Sequence, residues 1–97
     1  MLMILKKDMG YEIVFNRKSD KYLIKLSKKD KINLKFLLDS IKELSKNPYA
    51  SEILKSGKKK ERKIRKKDYR IFFIINENLH QIEIINIGKR SNIYKKI

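Results

Sequence analysis

The chain has no cysteine, one proline, three glycines, one histidine and few acids, 11 Asp and Glu against 26 Lys and Arg in 97 residues. Without cysteine there is no disulfide, no thiolate metal site and no cysteine nucleophile, and a reducing, cytoplasmic setting is the default expectation. No apolar run approaches the length of a membrane span. The opening M-L-M-I-L meets Lys6-Lys7 too soon to read as a signal peptide. The shortage of acids argues against a surface balanced by ion-pair networks and invites an acidic partner. With 41% hydrophobic residues, 97 residues suffice for one domain and one core, spanning 1–97 with 1–8 as a loose extension.

What the chain does have is positive charge, and it is concentrated. Lys55 to Arg70 holds ten Lys or Arg against Glu61 and Asp68, a net +8 out of a total of +15. A run this dense usually marks a solvated tail. Here Ile64 interrupts it, and the β-type segment I-F-F-I-I, Ile71 to Ile75, follows at once. The expectation is a rigid cationic sheet surface, whose first-order partner is nucleic acid.

Ahead of that run, Tyr11 to Phe15 alternates as a strand. Asn16 to Ser27 carries Tyr22, Leu23 and Leu26 at helical spacing, with Asn16 or Ser19 as N-cap. Asp30 is placed to cap a second helix with the stripe Leu34, Leu37, Leu38, Ile41, Leu44, which Asn47-Pro48 ends. Tyr49 to Gly57 reads as a loop with Ile53 and Leu54 tucked beneath it. The fold class is therefore α+β, two N-terminal helices packed on a small, mostly antiparallel four-stranded sheet in the order β-α-α-β-β-β.

Turn positions then assign faces. A turn that pairs Lys66 with Tyr69 sets Arg65 opposite Arg70, Ile64 opposite Ile71 and Lys63 opposite Phe72. A second turn at Asn76 to Leu79 keeps the parity and sets Glu83 opposite Phe72. Ile64, Ile71, Phe73, Ile75, Ile82 and Ile84 form one apolar face for the helices, with Phe15, Phe36, Phe72 and Phe73 as packing residues. Lys63, Arg65 and Arg70 share the other face, and parity brings Arg90 and Tyr94 of the tail to it. Like charges directly opposite destabilise a ladder, so an Arg65–Arg70 pair requires a reason outside folding, such as a bound anion. His80 starts the last strand beside a turn, far from Arg90, and Tyr69 reads as structural.

The strand Y-E-I-V-F, the two helices closing at Asn47-Pro48, the segment R-K-I-R-K-K-D-Y-R-I-F-F from Arg62 to Phe73, and the close I-N-I-G-K-R-S-N-I-Y from Ile85 to Tyr94 together resemble the RelE/ParE toxin superfamily of toxin–antitoxin systems. The resemblance runs from Tyr11 to Tyr94. It implies a RelE-like fold and, in the RelE-like branch, a ribosome-dependent endoribonuclease that cuts messenger RNA without a metal. The positions matching that branch are Lys63, Arg65, Arg70, Arg90 and Tyr94, and no metal or cofactor is implied. Lys58, Lys59, Lys60, Arg62, Lys66, Lys67 and Lys89 would add RNA-binding charge. One departure is Glu61, where RelE-like enzymes often carry a lysine, so Lys60 or Arg62 would have to substitute, or the base differs. The ParE-like branch, which inhibits gyrase without chemistry of its own, and an inactive RNA-binding relative are the alternatives. The resemblance also implies partners: an acidic RelB-like antitoxin in a hetero-oligomer, the ribosome and mRNA, and no membrane.

The chemistry explains the residue types. In-line attack by a ribose 2′-hydroxyl needs a base, charge on the phosphorane oxygens and a proton for the leaving 5′-oxygen. Arg65 and Arg70 suit the phosphorane because planar guanidinium forks match phosphate bidentately, and Arg90 suits the leaving group. A base crowded by cations gives up its proton more readily, and either Lys63 or Tyr94 fits that role. Tyr94 equally fits stacking on a splayed base.

Overall fold

The computed structural model of the chain describes residues 4–5, 10–54 and 60–90. Tyr94, Lys58 and Lys59 lie outside the described residues. The elements run β1 (Ile4–Leu5), β2 (Glu12–Phe15), α1 (Arg17–Lys29), α2 (Lys31–Lys46), β3 (Glu52–Ile53), β4 (Glu61–Lys66), β5 (Tyr69–Asn76) and β6 (Gln81–Lys89). They form one sheet in the order β1-β2-β6-β5-β4-β3. The β2–β6 pair is parallel and the other pairs are antiparallel.

The α+β class and the two-helix layer stand as expected, but the sheet has two more strands than the four expected. Ile4–Leu5 within the supposed loose extension pairs with Val14 and Ile13. Glu52–Ile53 within the supposed loop pairs with Lys63 and Arg62. Both are two-residue edge strands, too short for alternation to announce them. Ile53, expected to be tucked away, is 51% exposed. Its neighbour Leu54 is half-buried.

Capping fixes the helices. Asn16 is the N-cap of α1, its side-chain oxygen accepting from the Ser19 N–H at 2.9 Å. Asp30 closes one helix and opens the next: its N–H donates to the Leu26 carbonyl at 2.8 Å, and its carboxylate accepts from the Asn33 N–H at 3.1 Å. These hydrogen bonds hold the Asp30 carboxyl below its ordinary pKa, the Asn33 backbone bond contributing most. Leu23 of α1 and Leu37, Ile41 and Leu44 of α2 are buried against Ile13, Phe15, Ile71, Phe73, Ile82 and Ile84 of the sheet. At ~1.5–3 kcal/mol for each fully buried aliphatic side chain, this stripe is what seats the helices.

The register from Lys66↔Tyr69 to Lys63↔Phe72 is as the turn reading required, with Arg65 opposite Arg70. The β5–β6 connection differs. The turn is Glu77 to His80, with Asn76 opposite Gln81, so Glu83 faces Ile74 rather than Phe72. The Asn76 side chain accepts from the Leu79 N–H at 3.2 Å and His80 takes φ 52°, which lets four residues close the turn. A slip of two residues preserves which side chains face the core. Further along, the ladder jumps from Phe73↔Ile84 to Phe72↔Asn86, leaving Ile85 as an extra residue in a β-bulge. Strict alternation from the core residues Ile82 and Ile84 sends residues 86, 88 and 90 to the helix side, so parity alone does not bring Arg90 to the cationic face as expected from the sequence. The bulge reverses this: Ile87 rejoins the core and Gly88 falls opposite Arg70 on the other face.

Candidate phosphate-binding face

Lys63 and Arg65 of β4 and Arg70 of β5 project from the sheet face opposite the helices, as two-residue periodicity from the buried Ile71 and Phe73 dictates. Arg70 is 5% exposed. Its cross-strand neighbours are Arg65 on one side and Gly88 on the other. Its one side-chain hydrogen bond among the described residues runs from a guanidinium N–H to the Tyr69 carbonyl at 3.2 Å. Among the described residues no carboxylate forms an ion pair with it. A buried cation facing another cation is costly unless an anion joins it. Arg90 stands at the same end of the sheet, its N–H donating to the Asp68 carbonyl at 2.8 Å and carrying the ladder one step beyond Tyr69↔Lys89.

Lys63 is 19% exposed in its side chain and its ammonium lies 3.9 Å from the Glu52 carboxylate, which is 70% exposed. Beside this pair, a cleft of about 470 Å³ opens where β4 runs past the start of β3, lined by Ser51, Glu52, Lys63, Arg65 and Lys66 among others. Glu52 belongs to this site, and sequence reading missed it. Its signal was hidden because the segment carrying it reads as loop. Glu61 shares the face of Lys63 by alternation and stands opposite Ile74.

The remaining basic residues divide by parity. Arg62 lies over the Tyr49 ring at 4.8 Å and donates to the Ser51 carbonyl at 3.3 Å. Lys66 approaches Glu43 of α2 at 3.7 Å, Lys67 stands 4.3 Å from the Phe36 ring centre, and Lys89 stands 6.0 Å from that of Tyr69. Arg62, Lys67 and Lys89 are directed to the helix side or the turn and do not join Lys63, Arg65 and Arg70. Lys66 also lines the cleft beside Lys63 and Arg65, and Lys60 is exposed just ahead of β4. Tyr69 is a core residue, 1% exposed, and burial raises its pKa.

A second polar cluster occupies the opposite end of the sheet. The Tyr11 hydroxyl donates to both oxygens of Glu77, at 2.8 and 3.0 Å, and the Tyr49 hydroxyl also donates to Glu77. His80 stacks on Tyr11 with ring centres 3.9 Å apart. This puts His80 away from the cationic face, at the far end of β6 from Arg90.

Residues 13–94 match the family model described as the ParE toxin of type II toxin–antitoxin systems, parDE. The chain belongs to the RelE/ParE toxin superfamily. Membership of a type II toxin–antitoxin toxin family implies an antitoxin partner. The chain is also 32% identical over 87 residues to a Methanocaldococcus jannaschii protein described as "Putative toxin RelE4", a match covering 89% of this chain and 93% of that protein. No solved structure gives a significant match. Among the described residues of this superfamily member, no helix is long and apolar enough to cross a membrane.

Proposed function

We propose that this toxin-family chain is a ribosome-dependent endoribonuclease acting on messenger RNA in the cytoplasm, and that its antitoxin is acidic and covers the cationic face. One observation carries the reading: Arg70 is buried directly opposite Arg65 with no carboxylate partner among the described residues. A scissile phosphate supplies the missing negative charge. The 2′-oxygen gives its proton to Lys63 or Tyr94 and attacks phosphorus. Arg65 and Arg70 hold the non-bridging oxygens as charge builds on them, and Arg90 serves the departing 5′-oxygen, which leaves with a proton. The products are a 2′,3′-cyclic phosphate and a 5′-hydroxyl. Together the two fragments retain every atom of the substrate, the proton lost from the 2′-oxygen being matched by the one gained at the 5′-oxygen, so no water or cofactor enters this step.

Expression of the chain should stop amino-acid incorporation and create new message 5′ ends inside ribosome-covered codons, and Arg70→Ala or Arg90→Ala should abolish both effects. Equal cutting by both variants would refute the phosphate clamp. The matched family's ParE description favours a second reading, inhibition of DNA gyrase without chemistry. Loss of supercoiling activity with intact messages would establish that reading instead.

A further inference from the structure

The cleft along β4 beside the start of β3 is larger than a phosphate requires. At ~30 Å³ per water, about 470 Å³ gives room for a base with its sugar. Its charged lining is three cations, Lys63, Arg65 and Lys66, and one acid, Glu52, beside the Ser51 hydroxyl. A carboxylate lowers the attraction of the cleft for any polyanion, so phosphate binding does not account for it. Its contact with Lys63, at 3.9 Å, is loose, and most of the Glu52 side chain is open to the cleft and solvent.

We propose that this cleft is a nucleobase subsite adjoining the phosphate clamp and that Glu52 selects guanine in it. The inference rests on the RNA-cleaving reading above and extends it to the base beside the cut. An ionised carboxylate only accepts hydrogen bonds, and its two oxygens match two parallel donors. Guanine alone among the four RNA bases offers adjacent N1–H and N2–H donors on its Watson–Crick edge. Adenine and cytosine present an amino group next to a ring acceptor, which repels the second oxygen. Uracil presents one N–H between two carbonyls. Arg65 offers a planar guanidinium on which the base can stack, and Lys63 is near enough to take the adjoining phosphate while Glu52 turns to the base.

The test titrates the purified full-length chain with guanosine, adenosine, cytidine and uridine 3′-monophosphates, following amide and side-chain NMR shifts. Guanosine 3′-monophosphate should bind roughly tenfold more tightly than the other three. Shifts should centre on Ser51, Glu52 and Lys63. Glu52→Gln, isosteric and on an exposed edge strand, should erase the preference by replacing one acceptor with a donor, and Glu52→Asp should retain part of it. Equal affinities in the wild-type chain, no binding at all, or a guanine preference that survives Glu52→Gln would each overturn the proposal. The nuclease reading is tested apart by mapping message cleavage. Wild-type cutting with no guanine preference leaves that reading intact and removes this one. Guanine selection in an otherwise inert chain does the reverse.

Discussion

The side-chain amide of Asn16 donates to the backbone carbonyl of Ile85 at 2.9 Å. Asn16 is the N-cap of α1 and Ile85 is the bulged residue of β6, so one side chain ties the first helix to the irregularity that turns Gly88 toward Arg70. The Ile84 carbonyl reinforces the joint by accepting from the Asn16 N–H at 3.1 Å and from the buried Ser19 hydroxyl at 3.1 Å. A bulge left to itself costs ladder bonds. Here the helix start supplies replacements, and the cationic face inherits its geometry from them.

Asn16→Ala removes the cap and the Ile85 anchor together and should destabilise the domain by ~1–2 kcal/mol. Asn16→Asp keeps a capping oxygen but sets a carboxylate against a carbonyl. Urea denaturation should therefore rank the wild-type chain first, with the Asn16→Asp variant falling short of it. Hydrogen exchange at Ile85 to Ile87 should rise in both variants. Full wild-type stability in Asn16→Asp would show that the anchor contributes nothing.

Arg70→Met retains an unbranched stem in the same buried space and removes a cation that faces Arg65. Thermal stability should hold or rise by about 1 kcal/mol while toxicity is lost. A melting temperature several degrees lower would mean that the guanidinium is a structural group whose charge is already compensated.

Affinity for single-stranded RNA should fall steeply with salt. With Lys63, Arg65, Arg70 and Arg90 each contacting one phosphate, the slope of log K against log salt is about −3, and Arg70→Ala should reduce it by roughly 0.7. Fluorescence anisotropy between low and physiological salt measures both. An unchanged slope in the variant would remove Arg70 from the phosphate contacts.

The Tyr11–Glu77–Tyr49 cluster makes stability depend on pH in two directions. Hydrogen bonds from Tyr49 and then Tyr11 lower the Glu77 pKa below its ordinary value. Stability from Glu77 is thus present above the ordinary carboxylate range and lost as pH falls through the lowered value. The hydrogen bond to Glu77 pushes Tyr11 up to about 12 from 10.0, so the Tyr11 contribution is complete below pH 10 and lost as pH rises through about 12. The groups are open to solvent, which screens the effect. Glu77→Gln should be less stable than the wild-type chain at pH 7, and chemical denaturation should show the gap narrowing as pH is lowered below the ordinary carboxylate range. A gap that stays constant down to the acid unfolding of the chain would contradict the carboxylate's role.

Much of this was legible in the chain. The Asn16 and Asp30 caps, the α2 stripe and the Lys66↔Tyr69 turn follow from local rules acting over a few residues, and that turn alone sets Arg65 against Arg70. The resemblance to the toxin superfamily rested on the same segments. The two edge strands were not legible, because two residues have no measurable period and pair only where a neighbouring strand offers free backbone groups.

By itself, then, the sequence determined the helices, the central strands and the sharing of one face by Lys63 and Arg65 of β4 and Arg70 of β5, since periodicity and capping are properties of neighbours in the chain. Tertiary structure decided which cations meet. The bulge at Ile85 reverses side-chain parity within β6, and it persists because Asn16 and Ser19, more than sixty residues away in the chain, satisfy the carbonyls of Ile84 and Ile85. The placement of Glu52 beside Lys63 has the same origin, a backbone pairing between segments whose own side chains do not announce it.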